Sequence, residues 1–240
     1  YYARGIASTA QALPWMPGVA RIVGEGYVAG QPFDACPRQV LARQSARLAE
    51  KHWTLQVGIE PEFFLLRRDG AHWRACDPQD RLARPSYDLK SLGRQAGFLA
   101  QLGDALEGCG LDVLQLDHED AHGQYEVNFA HADALTSADR LMLFKLAGHA
   151  LAEAHGHAFS MMAKPFGDQP GSGMTCTPAC GKAAATTRAT CSRLTTPTVR
   201  WTPAPCCRRS AASSSAACWR MRRPSPRWRR PRSIPTSGSR

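Results

Sequence analysis

The chain changes character between Met174 and Thr175, and no single folded domain accounts for both sides of that boundary. Residues 1–174 carry 16 Lys and Arg against 20 Asp and Glu, and they hold all eight His. Residues 175–240 carry 14 Lys and Arg, no acid, no His and six of the nine Cys. Folded domains intersperse both signs of charge over their surfaces, so a stretch of 66 residues without one acid needs its own explanation. The formal charge of +10 belongs to this tail alone, because the first part is net negative. A basic tail with Trp201, Trp219 and Trp228 has the composition of a nonspecific nucleic-acid binder, yet it contains no recognition motif, and no specific nucleic-acid partner is expected. Cys176, Cys180, Cys206 and Cys207 lack a second pair at zinc-ligand spacing. The tail is expected to be disordered.

Residues 1–174 read as α+β. A helix is expected over 36–50. Thr54–Leu66 is rich in β-branched and aromatic residues and has strand character. Asp88–Cys109 reads as one helix, with Leu92, Ala96, Leu99, Leu102 and Leu106 at three- and four-residue steps and Gly110 as its stop. Leu111–Leu116 and Gln124–Phe129 read as strands around the polar segment Asp117–Gly123. Ser137–His155 reads as a helix capped by Ser137 and ended by Gly156, with Leu141, Phe144, Gly148 and Leu151 as its stripe. A short strand is expected over Ala158–Ala163, then a Gly/Pro loop over Lys164–Met174. Neither GxGxxG nor GxxxxGK[ST] is present, so the dinucleotide fingerprint and the phosphate loop are absent. No apolar run reaches about 18 residues, so no membrane span is expected. The first residues lack the basic-then-apolar pattern of a secretion signal, which makes the cytoplasm the expected compartment.

The carboxylates carry the chemistry. Glu60 and Glu62 are two residues apart in a strand and project from one face. With Val57, Ile59, Phe63 and Leu65 as neighbours, that face is expected to be buried or to line a cavity. Two like charges there repel and lose hydration, and a cation removes both penalties. Glu119 and Glu126, with Asp117 and Asp120, add oxygens at the joint between two strands. Hard divalent ions such as Mg²⁺ and Mn²⁺ prefer such ligands. Taken separately, the pair reads as a solvated edge and the cluster as a polar turn; taken together they favour a metal site.

GIEPEFFLL (58–66), DHEDAHGQYEVNF (117–129), SADRLMLFKLAGHALAEAHG (137–156) and MAKPFGDQPGSGM (162–174) resemble the glutamine synthetase family, above all the type III branch that includes glutamate–methylamine ligases. LPWMPGVARIV (13–23) resembles the segment leaving that family's small N-terminal β-grasp domain. The similarity is collinear over roughly residues 8–174. It implies three regions: a C-terminal remnant of the β-grasp domain at 1–33, part of the catalytic half-barrel of antiparallel strands flanked by helices at 34–174, and the aberrant tail at 175–240. It implies ATP-dependent amide formation, in which the γ-carboxylate of glutamate is phosphorylated and ammonia displaces phosphate, with methylamine or another amine as the alternative; a second alternative is a non-catalytic half-barrel that acts by binding or has no function. It also implies two divalent ions and a homo-oligomeric ring. Carried over by motif, Glu62, Glu119 and Glu126 hold one ion, Glu60 helps hold the other, and the Gly171 backbone meets substrate glutamate. His118, His122 and Lys164 lie beside these motifs and are assigned no role beyond structural hydrogen bonding.

The resemblance stops at one residue. In the family, Gly-Ser-Gly-Met continues as His-x-His-x-Ser-Leu, and the first His is a ligand of the second ion. Here Thr175-Cys176-Thr177-Pro178-Ala179-Cys180-Gly181 follows. Synonymous codons for those seven residues, read one base out of register, spell His-Leu-His-Pro-Ser-Leu-Trp. The same displacement applied to Cys218–Ser239 yields an apolar helix followed by Pro-Thr-Ile-Asn-Ser-Tyr-Lys-Arg-Leu, the next family landmark. A single-base frameshift after Met174 explains the acid-free tail. Little of the β-grasp domain is expected in this chain, and the residues that complete catalysis are expected beyond the break. A half-barrel left open is expected to expose Phe63, Leu65, Val127 and Phe129, and to be poorly soluble and inactive.

Overall fold

The computed structural model describes residues 1–182, so the tail expected to be disordered lies, from residue 183 onward, outside the described residues. The elements run β1 (Tyr2–Gly5), β2 (Gln11–Ala12), β3 (Ala20–Arg21), β4 (Gly24–Val28), β5 (Gln31–Pro32), α1 (Pro37–Ala49), β6 (Trp53–Asp69), β7 (His72–Ala75), α2 (Leu89–Arg94), α3 (Ala96–Gly108), β8 (Val113–His118), β9 (Gln124–Phe129), β10 (Ala132–Asp133), α4 (Ala134–Ala154), β11 (Ala158–Ser160) and β12 (Met174–Lys182), with one 3₁₀ turn at Ala7–Thr9. Strands β1, β4 and β5 form a small antiparallel sheet, and β2 pairs with β3. The main sheet is antiparallel and built around β6, which pairs with β7, β9, β10, β11 and β12, while β8 lies outside β9. The result is an antiparallel half-barrel sheet flanked by helices, as the sequence led us to expect.

Strand β6 organises the molecule because its two faces differ. Odd-numbered Ile59, Phe63 and Leu65 enter one core with Phe98, Leu102, Leu106, Tyr125, Val127, Phe144 and Phe159. Phe63 has no exposed surface and stacks on Phe159 at 4.8 Å between ring centroids, with Phe144 edge-on at 5.7 Å. Each fully buried side chain of this kind contributes roughly 1.5–3 kcal/mol. Helices α3 and α4 cover this face. Phe63, Leu65, Val127 and Phe129 are therefore buried, at 0%, 0%, 0% and 4% exposure, and the expected apolar exposure of these four residues is incorrect. The helices that close over the sheet are local in sequence and need nothing from beyond the break. The even face carries Glu60 and Glu62, with Phe64 and Leu66 packed further along against Ala121, Ala158 and Phe166.

Strand β8 lies two residues later than expected and β11 ends at Ser160 instead of Ala163, and three further differences have a physical reason. The helix read over Asp88–Cys109 is two helices that meet at Gln95, with Gly93 and Gly97 on either side; glycine is the poorest helix former after proline. Asp88 caps the first by accepting from the Lys90 and Ser91 amides. Helix α4 starts three residues before Ser137, because Asp133 accepts from the Thr136 amide at 3.1 Å and does the capping. Ser137 is buried inside the helix and donates to the Val57 carbonyl at 2.7 Å. Residues 175–182 are not a loose segment: they continue β12 against β6 from Met174↔Pro61 to Lys182↔Trp53. A ladder of backbone hydrogen bonds tolerates most side chains, so the strand runs through the change in composition.

Candidate metal-binding carboxylate face

The even face of the main sheet gathers the acids. Glu62 in β6 stands directly opposite Glu126 in β9, and Glu126 stands opposite Asp117 in β8. Directly opposed residues share a face and hold their Cβ atoms about 4.5–5.5 Å apart, and like charges so placed destabilise a sheet. Glu60 lies two residues from Glu62 on the same side. Glu119 follows β8 at the start of the turn into β9, and its amide donates to the Gln124 carbonyl at 2.9 Å. The expectation that Glu60 and Glu62 sit among Val57, Ile59, Phe63 and Leu65 is corrected: those side chains alternate to the opposite face, which the pleat of period two requires. All four glutamates are part-buried.

Among the described residues, no cation compensates them. Among the described residues, the ion pairs involve other acids, and none of Glu60, Glu62, Glu119 or Glu126 is bridged to Arg, Lys or His. The Glu119 carboxyl is pushed up to about 7, first by burial and then by Glu126, Glu62, Asp117 and Asp120. Burial likewise raises Glu126, with Glu60, Glu62 and Asp117 adding to it and the Asn128 hydrogen bond opposing it. Asp117 is raised by burial. Even the exposed Tyr87 hydroxyl is raised, most of all by Glu119. An all-oxygen, mutually repelling, half-dehydrated set of carboxylates fits a hard divalent ion. The side chains do not form a finished cage: among the described residues, no three His, Cys, Asp or Glu converge closely enough to hold an ion unaided.

Neutral donors hold the glutamates in place. Gln124, 1% exposed, donates from Nε2 to Glu62 Oε2 at 2.6 Å and to the Gly171 carbonyl at 3.1 Å, while its Oε1 accepts from the Ala121 amide at 2.9 Å. The Gly173 amide donates to Glu62 Oε2 at 2.9 Å. Asn128 Nδ2 donates to Glu126 Oε1 at 2.9 Å. Sequence reasoning missed Gln124 and Asn128, though each is a polar residue at even spacing from Glu126. Gly171 lies one amide side chain away from Glu62, and a Cβ there would strike the Ala163 carbonyl oxygen. A Cβ on Gly173 would stand 2.7 Å from Glu62 Oε1. Gly173 thus lets the loop approach Glu62, and Gly171 lets the loop close on the Ala163 carbonyl. Thr175 pairs with Glu60 across β12 and β6. A cavity of about 520 Å³ lies elsewhere, lined by Arg67, Trp73, Arg81, His122, Phe166 and Asp168 among others. None of the four glutamates lines it.

The raised Glu119 carboxyl gives a prediction with a definite sign. Its folded value near 7 lies above the unfolded value of 4.5, so the folded chain holds the extra proton between them. The stability linked to this group is fully present below about 4.5 and is lost as pH rises through about 7. Between about pH 5 and about pH 7.5, the melting temperature of the metal-free chain should fall relative to that of Glu119→Gln. Saturating Mg²⁺ should erase the difference. Parallel melting curves for the two proteins would contradict this.

The catalytic-domain model of the glutamine synthetase family matches residues 34–178. The glutamate–methylamine ligase of Methyloversatilis universalis is 43% identical over 174 residues, covering 72% of this chain and 39% of the relative. The glutamine synthetase of Rhizobium meliloti is 35% identical over 170 residues, covering 71% and 39%. A solved GmaS/ADP complex superposes with a TM-score of 0.72 at 36% identity over 75% of this chain and 42% of that one. The chain thus spans well under half the length of the relatives it matches. The β8–turn–β9 acids, the β6 pair and the glycine loop all fall inside the matched region: the chain belongs to the glutamine synthetase catalytic-domain family.

Proposed function

We propose that residues 34–174 are the carboxylate half of the active site of an ATP-dependent C–N ligase acting on glutamate. The observation that carries this reading is the face on which Glu62, Glu126 and Asp117 stand opposite one another with no ion pair to Glu62 or Glu126 among the described residues. In it, Glu62, Glu119 and Glu126 would hold one Mg²⁺ or Mn²⁺, Glu60 would contribute to a second, and the Gly171 backbone would meet the substrate. The ions supply charge neutralisation for the transferring phosphoryl group and orient the γ-carboxylate. Gln124 and Asn128 keep the glutamates aimed, and the glycine loop lets substrate come close. The amine then takes the place of phosphate. Methylamine is favoured over ammonia by the 43% identity to a glutamate–methylamine ligase against 35% and 39% to two glutamine synthetases. The ADP in the GmaS complex supports ATP as the phosphoryl donor. Assembly into a homo-oligomeric ring and residence in the cytoplasm belong to the same reading. No described helix is long and apolar enough to cross a membrane.

The frameshift after Met174 is part of this proposal. It is supported by the family model ending at residue 178, within a few residues of the compositional break. Sequencing the locus should show the displaced frame open from the Met174 codon; stop codons in it would refute the idea. The function is tested on a protein translated in that frame. Phosphate release with ATP, glutamate and methylamine should exceed release with ammonia, and no amine-dependent release with either would refute the ligase assignment.

A further inference from the structure

One buried carboxylate ties both ends of the turn that carries Glu119, and neither the sequence motifs nor the proposed chemistry accounts for it. His118 ends β8 opposite Tyr125, with its ring turned into the core and edge-on to the Tyr125 ring at 5.0 Å. The side chains of His118 and Asp80 are both 0% exposed. His118 Nε2 stands 2.7 Å from Asp80 Oδ2, and Nδ1 stands 2.8 Å from the Glu119 carbonyl oxygen. An ionised carboxylate and a carbonyl can only accept, so both ring nitrogens must donate. The same Asp80 Oδ2 accepts the Gly123 amide at 2.7 Å. Asp80 Oδ1 accepts from Ser91 Oγ at 3.3 Å, which joins the turn to the start of α2. At Gly123, φ is +69° and a Cβ would meet the Leu65 carbonyl oxygen at 2.9 Å, so this end of the turn is pressed against β6.

A buried ion pair is a poor way to gain stability, because taking both charges out of water offsets their attraction. Its better-attested use is to fix one arrangement among several. Here the fixed object is the five-residue span from Glu119 to Gly123. We propose that Asp80 is a positioning residue: through His118 at one end and the Gly123 amide at the other, it sets where the Glu119 carboxylate stands on the metal-binding face. The inference rests on the reading of Glu119 as a metal ligand. Among the described residues, no hydrogen bond of Asp80 goes to Glu60, Glu62, Glu126 or Asp117, and its contacts reach that face through the ends of the turn.

The test is Mn²⁺ binding by the 240-residue chain, read by loss of the free-ion electron paramagnetic resonance signal, for wild type, Asp80→Asn and Glu119→Gln. An asparagine oxygen can still accept from Gly123, but without the charge His118 is left with one N–H, and its other nitrogen then faces the Glu119 carbonyl lone pairs. Glu119→Gln should weaken binding by at least about tenfold, and Asp80→Asn by about three- to tenfold although every proposed ligand remains. A merely structural Asp80 would lower the urea midpoint and leave the affinity of the folded fraction unchanged. Wild-type affinity in Asp80→Asn beside a loss in Glu119→Gln overturns the inference and leaves the metal reading standing. Wild-type affinity in both overturns the two together. Should Asp80→Asn not fold, amide exchange in the unaltered chain decides: the Gly123 amide should exchange as slowly as those of β9, and exchange at the rate of an open loop overturns the inference.

Discussion

In a protein translated in the displaced frame, Glu62→Ala or Glu126→Ala should each lower divalent-dependent turnover by about a thousandfold. A metal at a transferring phosphoryl group is worth several kcal/mol of charge stabilisation, and each 1.36 kcal/mol is tenfold in rate. The two acids face each other across β6 and β9, and in the proposed site removing either would take an oxygen from the same ion. Asn128→Ala should cost less, about ten- to a hundredfold, because it only releases Glu126 from its 2.9 Å hydrogen bond. Steady-state rates at saturating ATP and glutamate measure both effects. Near-normal turnover in either glutamate variant would make the carboxylates structural.

The 240-residue chain itself should give no measurable γ-glutamyl product. Phosphoryl transfer depends on positioning and charge neutralisation far more than on covalent chemistry by the protein. In the proposed site one ion keeps three glutamates and the other keeps Glu60 alone. Thr175 stands opposite Glu60, and a neutral hydroxyl is a weak ligand beside an imidazole. Purified chain assayed for ATP-, glutamate- and amine-dependent phosphate release should match a Glu62→Ala control. Turnover above that control would mean that Thr175 and the tail complete the site after all.

Periodicity made much of this architecture legible. The β-branched and aromatic run at Thr54–Leu66 lies inside β6, Gln124–Phe129 is β9 to the residue, and the 36–50 helix lies within a residue or so of α1. Alternation also placed Glu60 and Glu62 on one face, but naming the apolar neighbours by adjacency assigned them to the wrong side of the pleat. Helix starts were harder to read: Asp133 and Ser137 are both good caps, and only the tertiary bond from Ser137 to the Val57 carbonyl takes Ser137 out of competition. Glu60 and Glu62 drew notice because acids in an otherwise apolar strand are expensive, and Glu119 and Glu126 because they crowd the joint between two strands. Gln124 was less legible, since its role depends on contacts with Glu62, Gly171 and Ala121, far apart in sequence. Asp80 left no signal at all: it lies in a polar loop 38 residues before His118, and only the fold brings them together.

The most direct test of the central claim is a Mn²⁺ titration of the 240-residue chain at about pH 8, where the Glu119 carboxyl, at about 7 in the metal-free fold, has lost its proton. The account predicts saturable binding that Mg²⁺ displaces and that Glu62→Ala and Glu126→Ala each weaken by at least about tenfold. It also predicts that binding fades as pH falls below about 6, where protons compete for the same oxygens. Affinity unchanged by both substitutions, or a free Mn²⁺ signal that the protein does not diminish, would contradict it.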